Sequence, residues 1–285
     1  MKLARYSAAN GSGLGVVVGE TLVPLATDKS LPTDMTALIE RWDDLAGEVR
    51  ALSERARGAL PLSDVRLLAP VERPSKIFAI GLNYADHVAE SGLETPQHQL
   101  WFAKAPGTVT GPDGDVEIPI VSTKIDYEVE LVAVIGKSGR HISVEDAPRH
   151  VFGFCVGNDV SVRDWQTQTP QWTLGKSFDT HGPIGPYITT TEDLGDPHRL
   201  AIRSIVNGEV RQSSNTRHLI FNVWDQIAHL SKAMTLEPGD LIFTGTPGGV
   251  GLAMKPPQFL AAGDVVRCEI DELGAIENRM VAEAI

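Results

Sequence analysis

The chain has 285 residues, enough to bury one large core or a small domain followed by a larger one. Hydrophobic residues make up 42% and charged residues 22%, the balance of a water-soluble globular protein, and no run of about 18 apolar residues offers a membrane-spanning helix. With 25 Lys plus Arg against 37 Asp plus Glu the net charge is −12, which argues against nucleic acid and anionic membrane surfaces as partners.

Met1-Lys2-Leu3-Ala4-Arg5-Tyr6 lacks the apolar stretch of a secretory leader and reads as a first strand. Strand-like pieces follow at 15–18 and 21–25, then a helical stretch at about 35–56, together a small α/β lead-in domain. Pro70 and Pro74 mark 67–74 as a connector, so the expected domains are 1–68 and 69–285. Beyond it, strands are expected at 76–80, 129–135, 151–156, 187–190, 201–206, 241–244 and 265–270, with turns at Asn207-Gly208 and Pro238-Gly239. Helices are expected only near 84–91 and 221–234, so the fold class is α+β and β-rich. Cys155 and Cys268 lie in apolar, strand-like surroundings and read as buried thiols, which fits a reducing cytoplasm.

Three carboxylates break this pattern. Glu128 and Glu130 interrupt an otherwise apolar, β-branched run, and residues two apart on a strand share a face. Burying two like charges side by side requires a counter-charge, and a hard divalent cation suits carboxylate oxygens. The alternative is a solvated edge strand whose glutamates pair with Lys137 or Arg140. Asp159 follows the next apolar strand and adds a third carboxylate, with Arg163 and Gln166 close behind.

His87 and Glu90, three apart on a short helix, fit an imidazole general base oriented by a carboxylate, or else an incidental surface pair. Lys176 sits among small and apolar residues, either aimed at an anion or snorkelling outward. The loop Thr244-Gly245-Thr246-Pro247-Gly248-Gly249-Val250-Gly251 lacks the ending of a phosphate-binding loop, but it would let backbone approach a small ligand while Thr246 offers a hydroxyl. The other histidines form no close pair with metal-ligand spacing, and Ser161 and Ser177 lack a nucleophile-elbow context.

The stretches GLNYADHVAE, DYEVELVAVIG, NDVSVRDWQ, WTLGKSFDT and TGTPGGVG, in this order over residues 75–251, closely resemble the fumarylacetoacetate hydrolase family, in particular its acylpyruvase and oxaloacetate-decarboxylase branch. The resemblance implies a catalytic domain of the mixed β-sandwich roll type, assembled as a homodimer. It implies that Glu128, Glu130 and Asp159 bind Mg²⁺ or Mn²⁺, that Lys176 lies near the substrate oxygens, that Gln166 and Thr246 contact substrate, and that His87 and Glu90 form a dyad on a lid. The histidine context and the chain length depart from fumarylacetoacetase itself.

The expected substrate is therefore a small 2-oxo acid, bound through its carboxylate and 2-oxo oxygens and reacting through a metal-stabilised enolate. Hydrolytic C–C cleavage of a 2,4-dioxo acid is the leading expectation. Oxaloacetate decarboxylation and isomerisation of a 2-hydroxymuconate-like or 2-hydroxyhepta-2,4-diene-1,7-dioate substrate pass through the same intermediate. A non-catalytic protein that binds a metabolite, or uses its cation structurally, is the alternative from another class.

Overall fold

The computed structural model describes residues 1–9, 11–27, 30–92 and 94–284. At its centre is the strand Val129–Ile135, all seven of whose residues are buried. It is apolar on both faces because it has a core on both: Leu131, Ala133 and Ile135 face one cluster, while Val132 and Val134 face the other. Such a strand reads as a continuous apolar run, without the alternation of a half-exposed one.

Two sheets form the body, as expected of a mixed β-sandwich roll. In the 12-stranded sheet, Val129–Ile135 lies between Val151–Asn158 and Leu241–Phe243, and Ile77–Gly81 and Leu100–Lys104 continue beyond the latter. The other sheet has five strands, running Glu209–Asn215, Ala201–Val206, Val265–Ile270, Gly274–Ala282 and Val116–Ile118. Ile202, Val266 and Ile276 from this sheet meet Leu131 and Ala133 in a core that the helix Val223–Ala233 helps close through Val223 and Ile227.

The lead-in segment joins the larger sheet edge to edge. Lys2–Ala8 pairs antiparallel with Gly182–Thr190, matching Lys2 to Thr189 and Leu3 to Ile188. Leu38, Ile39, Leu45 and Val49 share a cluster with Val132, Val134 and Cys155. Arg66–Leu68, which runs into the expected connector 67–74, also pairs with Lys2–Ala8. The single helix expected at 35–56 is two, Met35–Glu40 and Trp42–Arg55, broken at Arg41 with φ −106° and ψ 14°. The break lets both pieces turn apolar residues inward, and Trp42 meets Phe152 edge-on with centroids 5.1 Å apart. Both cysteines are free and buried.

Candidate metal centre and the cavity above it

Val129–Ile135 and Val151–Asn158 end side by side, and their ends carry the acidic residues. Glu130 pairs with Gly157 across the ladder, and just outside it the Asp159 N–H donates to the Glu128 carbonyl at 2.9 Å. Asn158 locks the corner, its Oδ1 accepting from the Glu128 N–H at 2.9 Å. Glu128, Glu130 and Asp159 are 5%, 1% and 0% exposed, and each places a carboxylate oxygen within 4.8 Å of the others. A solvated edge strand is thereby excluded: Lys137 instead faces Asp43, at 3.4 Å.

Basic side chains ring this cluster. Lys176 Nζ lies 2.6 Å from both Glu128 Oε2 and Asp159 Oδ2. Lys104 Nζ donates to Asp159 Oδ1 at 2.6 Å and to the Lys176 carbonyl at 2.5 Å. Arg163 contacts Glu128 Oε1 at 2.7 Å and Asp126 Oδ2 at 2.8 Å. With Asp126 counted, four carboxylates face three cations, and Glu130 is the one with no ion pair among the described residues.

Its proton affinity shows the imbalance. Burial, then the charges of Asp159 and Glu128, push Glu130 well above the usual carboxylate range, although the Gly245 N–H donates to its Oε2 at 2.7 Å. Burial acts on Glu128 in the same sense, but Lys176 and Arg163 outweigh it and hold that group at about 2. Lys176 is raised because Asp159 and Glu128 overcome its desolvation, while burial wins at Lys104 and lowers it. A divalent ion fits this set: three convergent oxygen donors, one of them held well above the usual carboxylate range by burial and like charge. Oxygen donors without thiolate or imidazole favour Mg²⁺ or Mn²⁺ over zinc or copper.

A cavity of about 200 Å³ opens above Glu128, Glu130 and Lys176. Gln166 lines it, with Oε1 accepting from Arg163 Nη1 at 3.0 Å, so its amide NH₂ is the end left to donate. Thr246 also lines it, but its hydroxyl is committed, donating to the Val129 carbonyl at 3.0 Å and accepting from Gln212 at 2.8 Å. His87 reaches the wall from the helix Ala85–Ser91. Its Nδ1 is 3.5 Å from Glu90 Oε1 and makes no hydrogen bond, while Glu90 Oε2 accepts from the Gly249 N–H at 2.7 Å. The dyad is thus looser than its spacing predicts, and Glu90 also ties the helix to the glycine-rich loop. The entry to that helix is fixed by buried Asn83, which bonds the Phe221 N–H, the Phe221 carbonyl and the Thr244 carbonyl.

Lys104 and Asp126, which spacing alone did not single out, complete the charge network beneath the cavity together with Arg163, which stands four residues after Asp159.

A two-sheet roll with three buried carboxylates beneath a small cavity defines a class of protein whose oxygen donors suit a hard divalent ion. The family description "Fumarylacetoacetate (FAA) hydrolase C-terminal" matches residues 76–281 and "Rv2993c-like, N-terminal" matches residues 1–70, and the chain belongs to the fumarylacetoacetate hydrolase family. It is 45% identical to the mitochondrial oxaloacetate tautomerase Fahd2a of Rattus norvegicus, over 99% of this chain and 92% of that protein. The structure of maleylpyruvate hydrolase from Sphingobium sp. SYK-6, in complex with manganese(II) and pyruvate, matches with TM-score 0.85 and 32% identity, covering 100% of both chains. That of 5-carboxymethyl-2-hydroxymuconate delta-isomerase from Mycobacterium smegmatis matches with TM-score 0.80 and 31% identity, also over 100% of both. The rat relative is mitochondrial, unlike the cytoplasmic expectation for this chain; among the described residues no helix is long and apolar enough to cross a membrane.

Proposed function

We propose that the protein is a divalent-metal-dependent enzyme that enolises a small 2-oxo carboxylic acid, with keto–enol interconversion of oxaloacetate as its reaction. The observation that carries this reading is the convergence of Glu128, Glu130, Asp159 and Lys176 on one cavity that His87 also lines. The oxaloacetate tautomerase named above, aligned over nearly the whole chain, supports the choice of substrate.

A Mg²⁺ or Mn²⁺ ion held by Glu128, Glu130 and Asp159 would supply Lewis acidity toward the carboxylate and 2-oxo oxygens of the acid. The Gln166 amide donates to the same carboxylate. His87 Nε2, the ring nitrogen turned away from Glu90, accepts the C3 proton; the C–H electron pair moves into the C2–C3 bond and negative charge collects on the 2-oxo oxygen beside Lys176. Protonation of that oxygen completes the enol, and the reverse sequence returns the keto acid. Glu90, 3.5 Å from His87 Nδ1, orients the ring, and this contact has room to tighten when substrate is present, as catalytic hydrogen bonds commonly do.

Hydrolytic cleavage of a 2,4-dioxo acid is the second reading, favoured by the His87–Glu90 pair and by the likeness to maleylpyruvate hydrolase. There His87 Nε2 would take a proton from water as it attacks the distal carbonyl, the C3–C4 bond would break, and the pyruvate enolate would leave. Oxaloacetate decarboxylation reaches the same enolate by losing CO₂.

The deciding experiment assays enol-oxaloacetate decay, CO₂ release and loss of the acylpyruvate chromophore in parallel, before and after chelation. Metal-dependent enol decay without CO₂ supports the tautomerase, and chromophore loss supports the hydrolase. Silence in all three assays, with a melting temperature that still depends on metal, would leave a structural ion and sink the enzyme reading. His87→Ala is expected to lower the supported activity by about 10²–10⁴-fold; full activity in that variant removes His87 as the base.

A further inference from the structure

Outward from the metal centre, the cavity wall is a relay of ring contacts. Lys176 Nζ lies over the Phe102 ring, 4.8 Å from its centroid. Phe102 in turn meets Trp172, with centroids 5.6 Å apart and planes at 53°. Behind the indole is the Gly81 backbone, so close that a Cβ there would stand 2.5 Å from Trp172 Cζ3 and 3.0 Å from Leu100 Cδ2. The ring therefore uses the space that only glycine leaves free and cannot retreat further in that direction.

A 2-oxo acid held by its carboxylate end beside Lys176, at an ion that the three acidic groups would bind, has Phe102 and this indole along the wall ahead of its other end. The cavity is about 200 Å³ and its outer wall is apolar, made by Ile80, Leu82, Phe102, Trp172, Val250 and Leu252. Arg163 and Lys176, which also line it, are held at the floor by Asp126, Glu128 and Asp159.

From this arrangement we infer that Trp172 is a specificity-determining residue that limits the length of the substrate's distal group, so the cavity takes short 2-oxo acids and turns away extended ones. The inference rests on the 2-oxo acid reading of the site. It puts the four-carbon skeleton of oxaloacetate within the limit.

The test is calorimetric binding of pyruvate, 2-oxobutanoate, 2-oxohexanoate and 2-oxooctanoate to the full chain loaded with Mn²⁺, for wild type, Trp172→Phe and Trp172→Ala. Apolar walls ordinarily reward added methylenes, so a fall in affinity along the series is diagnostic of an end wall. Wild type is expected to lose about tenfold or more between 2-oxobutanoate and 2-oxooctanoate. In Trp172→Ala the long-to-short affinity ratio is expected to rise by about the same factor. Trp172→Phe, which keeps a ring against Phe102, should fall between them and covers the case in which the alanine variant fails to fold. Equal affinity for all lengths in wild type, or a proportional loss across the series in both variants, overturns the inference while leaving the 2-oxo acid reading intact. Failure of pyruvate and every longer acid to bind the Mn²⁺-loaded protein overturns both.

Discussion

Glu130 is buried beside two like charges with no ion pair among the described residues, and the Gly245 N–H donates to it. Glu130→Gln keeps an oxygen for the Gly245 N–H and removes the charge. Metal-free protein is therefore expected to gain on the order of 1 kcal/mol, while the stabilisation that Mn²⁺ gives wild type is lost. Thermal unfolding with and without Mn²⁺ measures both, and a glutamine variant that still responds fully to Mn²⁺ would remove Glu130 from the ligand set. His181 offers a different test. It is fully buried, its Nε2 bonds the Glu117 carbonyl at 2.8 Å, and its Nδ1 has no partner. Burial lowers its pKa from 6.5 to about 4. The unfolded chain then takes up a proton that the folded chain refuses, so this contribution to stability is complete above about 6.5 and is lost as pH falls toward about 4. The loss is on the order of 3 kcal/mol. Urea unfolding of wild type and His181→Phe at pH 7 and pH 4.5 isolates it: the wild type should lose more on acidification, and equal losses would mean that His181 does not titrate across folding.

Among the elements, the turn Leu174–Lys176 positions the lysine by packing against the short helix Arg163–Gln166. A Cβ on Gly175 would stand 2.2 Å from the Gln166 N, an overlap with backbone that no rotamer relieves. Gly175→Ala is expected to cost about 1–3 kcal/mol and to lower kcat further by moving Lys176 away from Glu128 and Asp159. Wild-type melting and kcat in that variant would show that Lys176 is placed by other contacts. Glu128, Glu130 and Asp159 were legible beforehand because charge in an apolar strand context breaks a pattern. Lys104 was not, because a lysine ending a short strand looks like surface, and its partner Asp159 is 55 residues away. Periodicity likewise identified Val129–Ile135 and Ala201–Val206 with their observed bounds, since each carries enough β-branched and apolar residues. It could not identify the break at Arg41, which tertiary packing imposes, or the use of Arg66–Leu68 as a strand, because three residues carry no period. Strand pairing is also non-local: nothing in Lys2-Leu3 names Thr189 and Ile188 as partners.

For the whole molecule, the lead-in segment and the rest share a sheet and a core, so the scaffold beneath the metal centre extends across nearly the full chain. The same separation of inside from outside governs its charge. The lysines and arginine at the centre are no more than 6% exposed, whereas the protein as a whole carries −12. Mobile ions screen exposed charges over roughly 8 Å at physiological ionic strength and reach buried pairs far less. Added potassium chloride should therefore leave the balance at Lys176 and Arg163 intact while it shields an approaching anion from the acidic exterior. For a dianionic acid, kcat/KM is expected to rise with ionic strength wherever encounter limits the rate, and a steep fall would show that a cationic path guides the substrate in. A buried cationic ring inside an acidic shell thus makes brine an aid to capture.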